Sequence, residues 1–169
     1  IKNESLSGFD GYIIKPVLPA QLVKIVLSYL GPAEDNREKV FGKRMLLVDD
    51  DPIQLKLLRV FFEASGFVIE CANNGMEALE IFQKAPFDII VSDVLMPHID
   101  GFKLCTEIRN GTTHPDIPII LASNHFISQE DISFSKKIGA DDCVIRTPDL
   151  FAISKSVMTL LNQKQIQVH

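Results

Sequence analysis

Phe87-Asp88-Ile89-Ile90-Val91-Ser92-Asp93-Val94-Leu95-Met96-Pro97-His98-Ile99-Asp100-Gly101 passes from buried chain to turn within a few residues. Ile89, Ile90 and Val91 form a β-branched run too short for a helix, which predicts a strand covered on both faces. That strand ends at Asp93. Pro97 and Asp100-Gly101 then break the chain before Phe102, Cys105 and Ile108 resume at helical spacing, so Asp93 lies where a buried strand gives way to a loop. In an open α/β sheet, ligands bind at that edge.

A single Asp at a strand end is more often a turn former or a helix cap than a reactive group. Here, however, a second apolar strand, Met45 to Val48, also ends in acid, at Asp49-Asp50-Asp51. If the two strands are parallel neighbours, Asp49, Asp50 and Asp93 converge on one sheet edge. Each like-charge pair at about 4 Å repels by roughly 4 kcal/mol at an effective dielectric of about 20. Such a cluster favours a hard divalent cation, and oxygen ligands with few protein contacts suit Mg²⁺.

Outward from these two strands, helices and strands alternate. Asp51 is placed to cap a helix that has Pro52 in its first turn, Leu55, Leu58 and Phe62 on one face and Gly66 as terminator. Phe61-Phe62 belongs to that buried face. Phe67 to Ala72 reads as a strand, Asn73-Asn74-Gly75 as a turn, and Ala78, Leu79 and Phe82 as the apolar side of a second helix. Asn110 to Asp116 is a loop before a strand at Ile117 to Ala122. Ser128 and Asp131 suggest a capping box for a short helix ending near Gly139. A fifth strand, Cys143 to Ile145, precedes a last helix carrying Leu150, Ile153, Val157 and Leu160, which Asp149 can cap. Five strands alternating with five helices predict a doubly wound parallel sheet.

At 169 residues and 46% hydrophobic, the chain is long enough for one domain with a core and some extra. A net charge of −5 gives no basic footprint for nucleic acid. No apolar run reaches the 18 or so residues of a membrane span. Cys71, Cys105 and Cys143 are odd in number and unevenly spaced, as expected for reduced core thiols of a cytoplasmic protein. His98, His114, His125 and His169 lack ligand spacing and read as exposed loop or tail residues; only His125, near Ser123, is placed to tune a phosphoryl lifetime.

Taken together, four features resemble the receiver domain of two-component response regulators. They are Asp49-Asp50, the motif Asp93-x-x-Met96-Pro97-x-x-Asp100-Gly101, Ser123 after the run Ile119 to Ala122, and Gly139-Ala140-Asp141-Asp142 before Arg146. Each alone is weak; the combination is highly specific. The resemblance implies a flavodoxin-like strand order 2-1-3-4-5 and a signalling domain, not an enzyme in the ordinary sense. In it Asp93 accepts a phosphoryl group from a phosphohistidine. Asp49, Asp50, Asp93 and the Leu95 carbonyl are the expected Mg²⁺ set, with Asp50 and Asp93 direct ligands and Asp49 acting through water. Ser123, Asn124 and Arg146 are the expected phosphoryl contacts, and Cys143 holds the switch position. The implied partners are a histidine kinase or a histidine phosphotransfer protein, and a second copy through the helix 4, strand 5, helix 5 face.

The same resemblance organises the rest of the chain. Gly8-Phe9-Asp10-Gly11-Tyr12-Ile13-Ile14-Lys15-Pro16 parallels the segment from Gly139 to Pro148, and a helical apolar pattern follows each. Residues 1–30 are therefore expected to be the closing strand and helix of a preceding receiver, 31–43 a linker, 44–162 the complete receiver and 163–169 a tail. A tandem arrangement suits a hybrid sensor kinase or a multi-receiver regulator equally. Three positions depart from the family's usual pattern: Arg146 stands for a Lys, Cys143 for an aromatic and Asn124 for a small residue. These departures keep open a degenerate receiver that acts only through protein contacts. A haloacid-dehalogenase-like phosphatase ranks lower, because Leu95 stands where its general acid would be.

Overall fold

The computed structural model describes residues 40–111, 113–123, 128–147 and 150–166. The expected preceding receiver piece at 1–30, most of the linker, Asn124, His125, the Asp149 cap and His169 lie outside the described residues. The elements are β1 (Arg44–Val48), α1 (Pro52–Ala64), β2 (Val68–Ala72), α2 (Gly75–Lys84), β3 (Ile89–Asp93), α3 (Gly101–Asn110), β4 (Ile119–Ser123), α4 (Gln129–Lys137), β5 (Asp142–Ile145) and α5 (Phe151–Ile166).

All strand pairs are parallel and the sheet order is β2-β1-β3-β4-β5, as expected. The alternating strand faces feed two cores. Met45, Leu47, Ile89 and Val91 pack with Leu55, Leu58 and Phe62 of α1 and Ile153 and Val157 of α5. Leu46, Val48, Ile90 and Leu121 pack with Ala78 and Phe82 of α2 and Leu104, Cys105 and Ile108 of α3. Both faces of the sheet are thus covered, which is why its strands read as continuous apolar runs.

Local chemistry sets the element ends. The Asp51 carboxylate accepts from the Ile53 and Gln54 amides with Pro52 next to it, and Gly66, at φ +105°, closes α1. Ser128 and Asp131 form the expected capping box of α4. Two boundaries differ from expectation. Val40 is buried in the first core and Gly42 donates to the Gly66 carbonyl, so the folded domain takes in the last linker residues. At the other end α5 continues to Ile166, where no Gly or Pro stops it.

The register places the chemistry. Val48 pairs with Ser92, Asp93 with Ala122, and Ser123 with Ile145, so Asp49, Asp93, Ser123 and Arg146 emerge side by side at the carboxyl edge. Behind Asp93 the loop turns tightly: the Gly101 amide donates to the Val94 carbonyl at 2.9 Å. A Cβ on Gly101 would lie 2.3 Å from the Asp93 carbonyl oxygen. Gly101→Ala is therefore expected to lose about 1–3 kcal/mol of stability in urea unfolding. Wild-type stability in that variant would show that the loop yields.

Candidate functional site

Asp49 is 2% exposed, Asp93 7%, Ser123 6% and Arg146 8%, so the carboxyl edge holds a charged group largely shut off from water. Burying carboxylates is costly unless they are paired and hydrogen-bonded. Here the Arg146 guanidinium joins both, its Nη1 lying 2.5 Å from Asp49 Oδ2 and its Nη2 3.3 Å from Asp93 Oδ1. The remaining oxygens have backbone donors. Asp49 Oδ1 accepts from the Asp51 amide at 2.9 Å, and Asp93 Oδ2 from the Leu95 amide at 3.0 Å. Arg146 Nε is buried with no hydrogen-bond partner among the described residues.

This differs from the three-carboxylate cluster expected from the sequence. Asp49, placed there as the outer acid, is the buried one, and Asp50 is exposed. The chain bends at Asp50 to reach the cap at Asp51, so only Asp49 continues the strand inward. Among the described residues no three acidic, His or Cys side chains stand together as a ready cation cage. Leu95 enters through its amide, while its side chain is exposed. Ser123 is buried at the end of β4, its carbonyl accepting from the Arg146 amide at 2.7 Å.

Burial pushes the Asp93 carboxyl up to about 6; Arg146 opposes this, and the Asp49 charge, more than that of the exposed Asp50, adds to it. Burial also raises the Cys71 and Cys143 thiols, and that of Cys105 to about 11, so none is a reactive thiolate at neutral pH. Cys143 is half-buried against the second core, its amide donating to Asp142 Oδ1 at 2.8 Å. His98 and His114 are exposed. A cavity of about 460 Å³ lies at the opposite edge, lined by Arg109, Asp116 and Asp141 among others. Arg109 is already committed to the Gly139 and Pro115 carbonyls and to Asp141. The buried charged group lies instead at the edge where the Arg146 guanidinium joins Asp49 and Asp93.

The donor set fits Mg²⁺ in kind: hard carboxylate oxygens, two of them bridged by one guanidinium, with a third carboxylate exposed next to Asp49. The cation now between them is Arg146. Sequence reasoning missed this bridge, for which the only signal was an Arg at the end of β5.

Residues 45–158 match the family described as the response regulator receiver domain. The chain belongs to that family. Its receiver is 35% identical over 112 residues to the response regulator MprA of Mycobacterium leprae, covering 66% of this chain and 46% of MprA. It is 31% identical to the receiver domain of a signal transduction histidine kinase from Syntrophus aciditrophicus, with TM-score 0.63, covering 73% of this chain and 92% of that one. The response regulator TrrA of Thermotoga maritima, solved in complex with Mg²⁺ and BeF, is 32% identical with TM-score 0.63, covering 70% of this chain and 98% of TrrA. The chain spans about half or less of the length of the curated relatives it matches. Among the described residues of the receiver, no helix is long and apolar enough to cross a membrane.

The Asp93 shift has a defined sign. An unfolded Asp titrates near about 3.9. Between roughly pH 4 and 6 the unfolded chain has already lost the proton that the folded receiver keeps, so this group's contribution to stability falls as pH rises. In metal-free buffer Asp93→Asn is expected to melt above wild type at about pH 7.5, with the gap closing towards about pH 4.5. A gap that does not change with pH would contradict the raised carboxyl.

Proposed function

We propose that this receiver takes a phosphoryl group from a phosphohistidine onto Asp93 with Mg²⁺, within a hybrid sensor kinase or a multi-receiver regulator. The observation that carries it is a buried carboxylate at the end of β3, beside a second buried carboxylate and a cation, in a chain of the receiver family. In the reaction an Asp93 oxygen attacks phosphorus and the P–N bond to the imidazole breaks. The imidazole leaves and takes a proton from water, and an acyl phosphate forms on Asp93. The Leu95 amide fixes the carboxylate by holding Oδ2, which leaves Oδ1 as the oxygen to be released from Arg146 and turned to the donor.

Mg²⁺, held by Asp49, Asp50 and Asp93 with the Leu95 carbonyl, would neutralise charge on the incoming phosphoryl oxygens. The Ser123 hydroxyl and the Arg146 guanidinium are assigned to donate to those oxygens, with Asn124 beside them. The donor is a histidine kinase or a histidine phosphotransfer protein, as is general for receivers of this family. We place the reaction in the cytoplasm, where three free cysteines are at home. Self-association is assigned to the α4, β5, α5 face, where Phe134 and Ile145 expose apolar surface.

Acetyl phosphate plus Mg²⁺ is expected to add one phosphoryl group to wild type and none to Asp93→Asn, read by intact mass. Equal labelling of the variant would overturn the assignment. The departure at Cys143 bears on the response that follows. A small, half-buried thiol cannot swing between buried and exposed positions as an aromatic ring does. Beryllofluoride with Mg²⁺ is therefore expected to shift amide resonances around Asp93 and Ser123 more than those of α4, β5 and α5. A large cooperative change across residues 128–161 would contradict this.

A further inference from the structure

Apart from Asp93, Ser92 is the polar side chain of β3, and the chemistry above makes no use of it. It is fully buried, with Val48 of β1 and Leu121 of β4 as its register partners. A hydroxyl among apolar neighbours is costly unless it is hydrogen-bonded, and an apolar residue of the same size would serve the core as well. The Ser92 hydroxyl donates to the Asp93 carbonyl at 2.9 Å. That carbonyl lies just past the end of the β1–β3 pairing, which stops at Val48 and Ser92, and Gly101 packs against it without room for a Cβ. The peptide that leaves Asp93 is thus held at both polar atoms, because the Val94 amide donates to the Ala122 carbonyl at 3.0 Å. One residue further on, the Leu95 amide holds Asp93 Oδ2 at 3.0 Å.

We propose that Ser92 is a positioning residue for phosphoryl transfer to Asp93. By holding the carbonyl it fixes the turn of the backbone on leaving Asp93, and that turn sets the Leu95 amide against Oδ2. The carboxylate is then presented with Oδ2 anchored and Oδ1 left for the attack. Without the hydroxyl, the Asp93–Val94 peptide is held from the β4 side only, and the carboxylate samples more directions than the one that reacts. Lost alignment at a reacting group shows in the rate of the step rather than in binding of the phosphodonor. This rests on the reading of Asp93 as the phosphoryl acceptor and adds the residue that aims it.

The test follows phosphorylation of the full chain by acetyl phosphate with Mg²⁺, read as intact mass against time over a range of acetyl phosphate concentrations. The chains compared are wild type, Ser92→Ala, Ser92→Thr and Asp93→Asn. In parallel the Leu95 amide proton resonance, which reports the bond to Asp93 Oδ2, is recorded without metal. Ser92→Ala is expected to lower the maximal rate about tenfold, in keeping with the loss of one well-placed hydrogen bond. The half-saturating acetyl phosphate concentration is expected to stay as in wild type, and the Leu95 resonance to move upfield. Ser92→Thr keeps the hydroxyl and is expected to restore both rate and resonance. A wild-type rate in Ser92→Ala overturns the positioning role, and leaves Asp93 as the acceptor so long as Asp93→Asn stays unlabelled. Labelling of Asp93→Asn overturns the acceptor reading and the positioning role with it. Equal loss in the Ala and Thr variants overturns the role of the hydroxyl in favour of packing. Should Ser92→Thr not fold, the Leu95 resonance of Ser92→Ala decides, and an unmoved resonance refutes the proposal.

Discussion

Pairing of β1 with β3 in the register Val48 to Ser92 is the constraint on which the site depends. Two strands buried on both faces are locked to one phase, because a slip of one residue would turn every core side chain to the opposite face of the sheet. That phase sends Asp49 and Asp93 inward at adjacent strand ends. Once there, the two carboxylates cannot be left as bare charges. The domain answers from β5, two strands away from β3, with a guanidinium 97 residues distant in sequence from Asp49.

The arrangement stabilises less than its short contacts suggest. Desolvating three charged groups costs several kcal/mol per ion and offsets much of their mutual attraction. What the bridge secures is pairing, since taking Arg146 away would leave two buried carboxylates facing each other. Asp93 records the tension: burial keeps its carboxyl near neutrality even with a guanidinium in reach. Held in this way, the Asp93 carboxyl is sheltered from water.

Much of this was legible in the sequence because the relevant signals are local. Short apolar runs mark β1, β3 and β4, and Asp51 and Ser128 cap the helices that follow them, Ser128 together with Asp131 in the first turn of α4. The fold order followed from family resemblance and holds. Other features depend on facts that no short window contains. Asp49 and Asp50 are the same residue type, and which one points inward is set by strand phase and by the bend towards Asp51. The Arg146 bridge needs the reach of one side chain across β3 and β4. Val40 belongs to the core because the chain before β1 turns back towards Gly66, which its polar, turn-rich neighbours gave no reason to expect.

Arg109 has a part to play in how the domain deforms. Its guanidinium holds the Gly139 carbonyl, the Pro115 carbonyl and Asp141, and Asp141 also accepts from the Ile119 amide. One side chain of α3 thereby ties the approach to β4 and the approach to β5 into a single block at the amino edge of the sheet. The two ends of the sheet are thus held differently: the amino edge is cross-tied through backbone carbonyls and an amide, the carboxyl edge by a guanidinium set between two buried carboxylates.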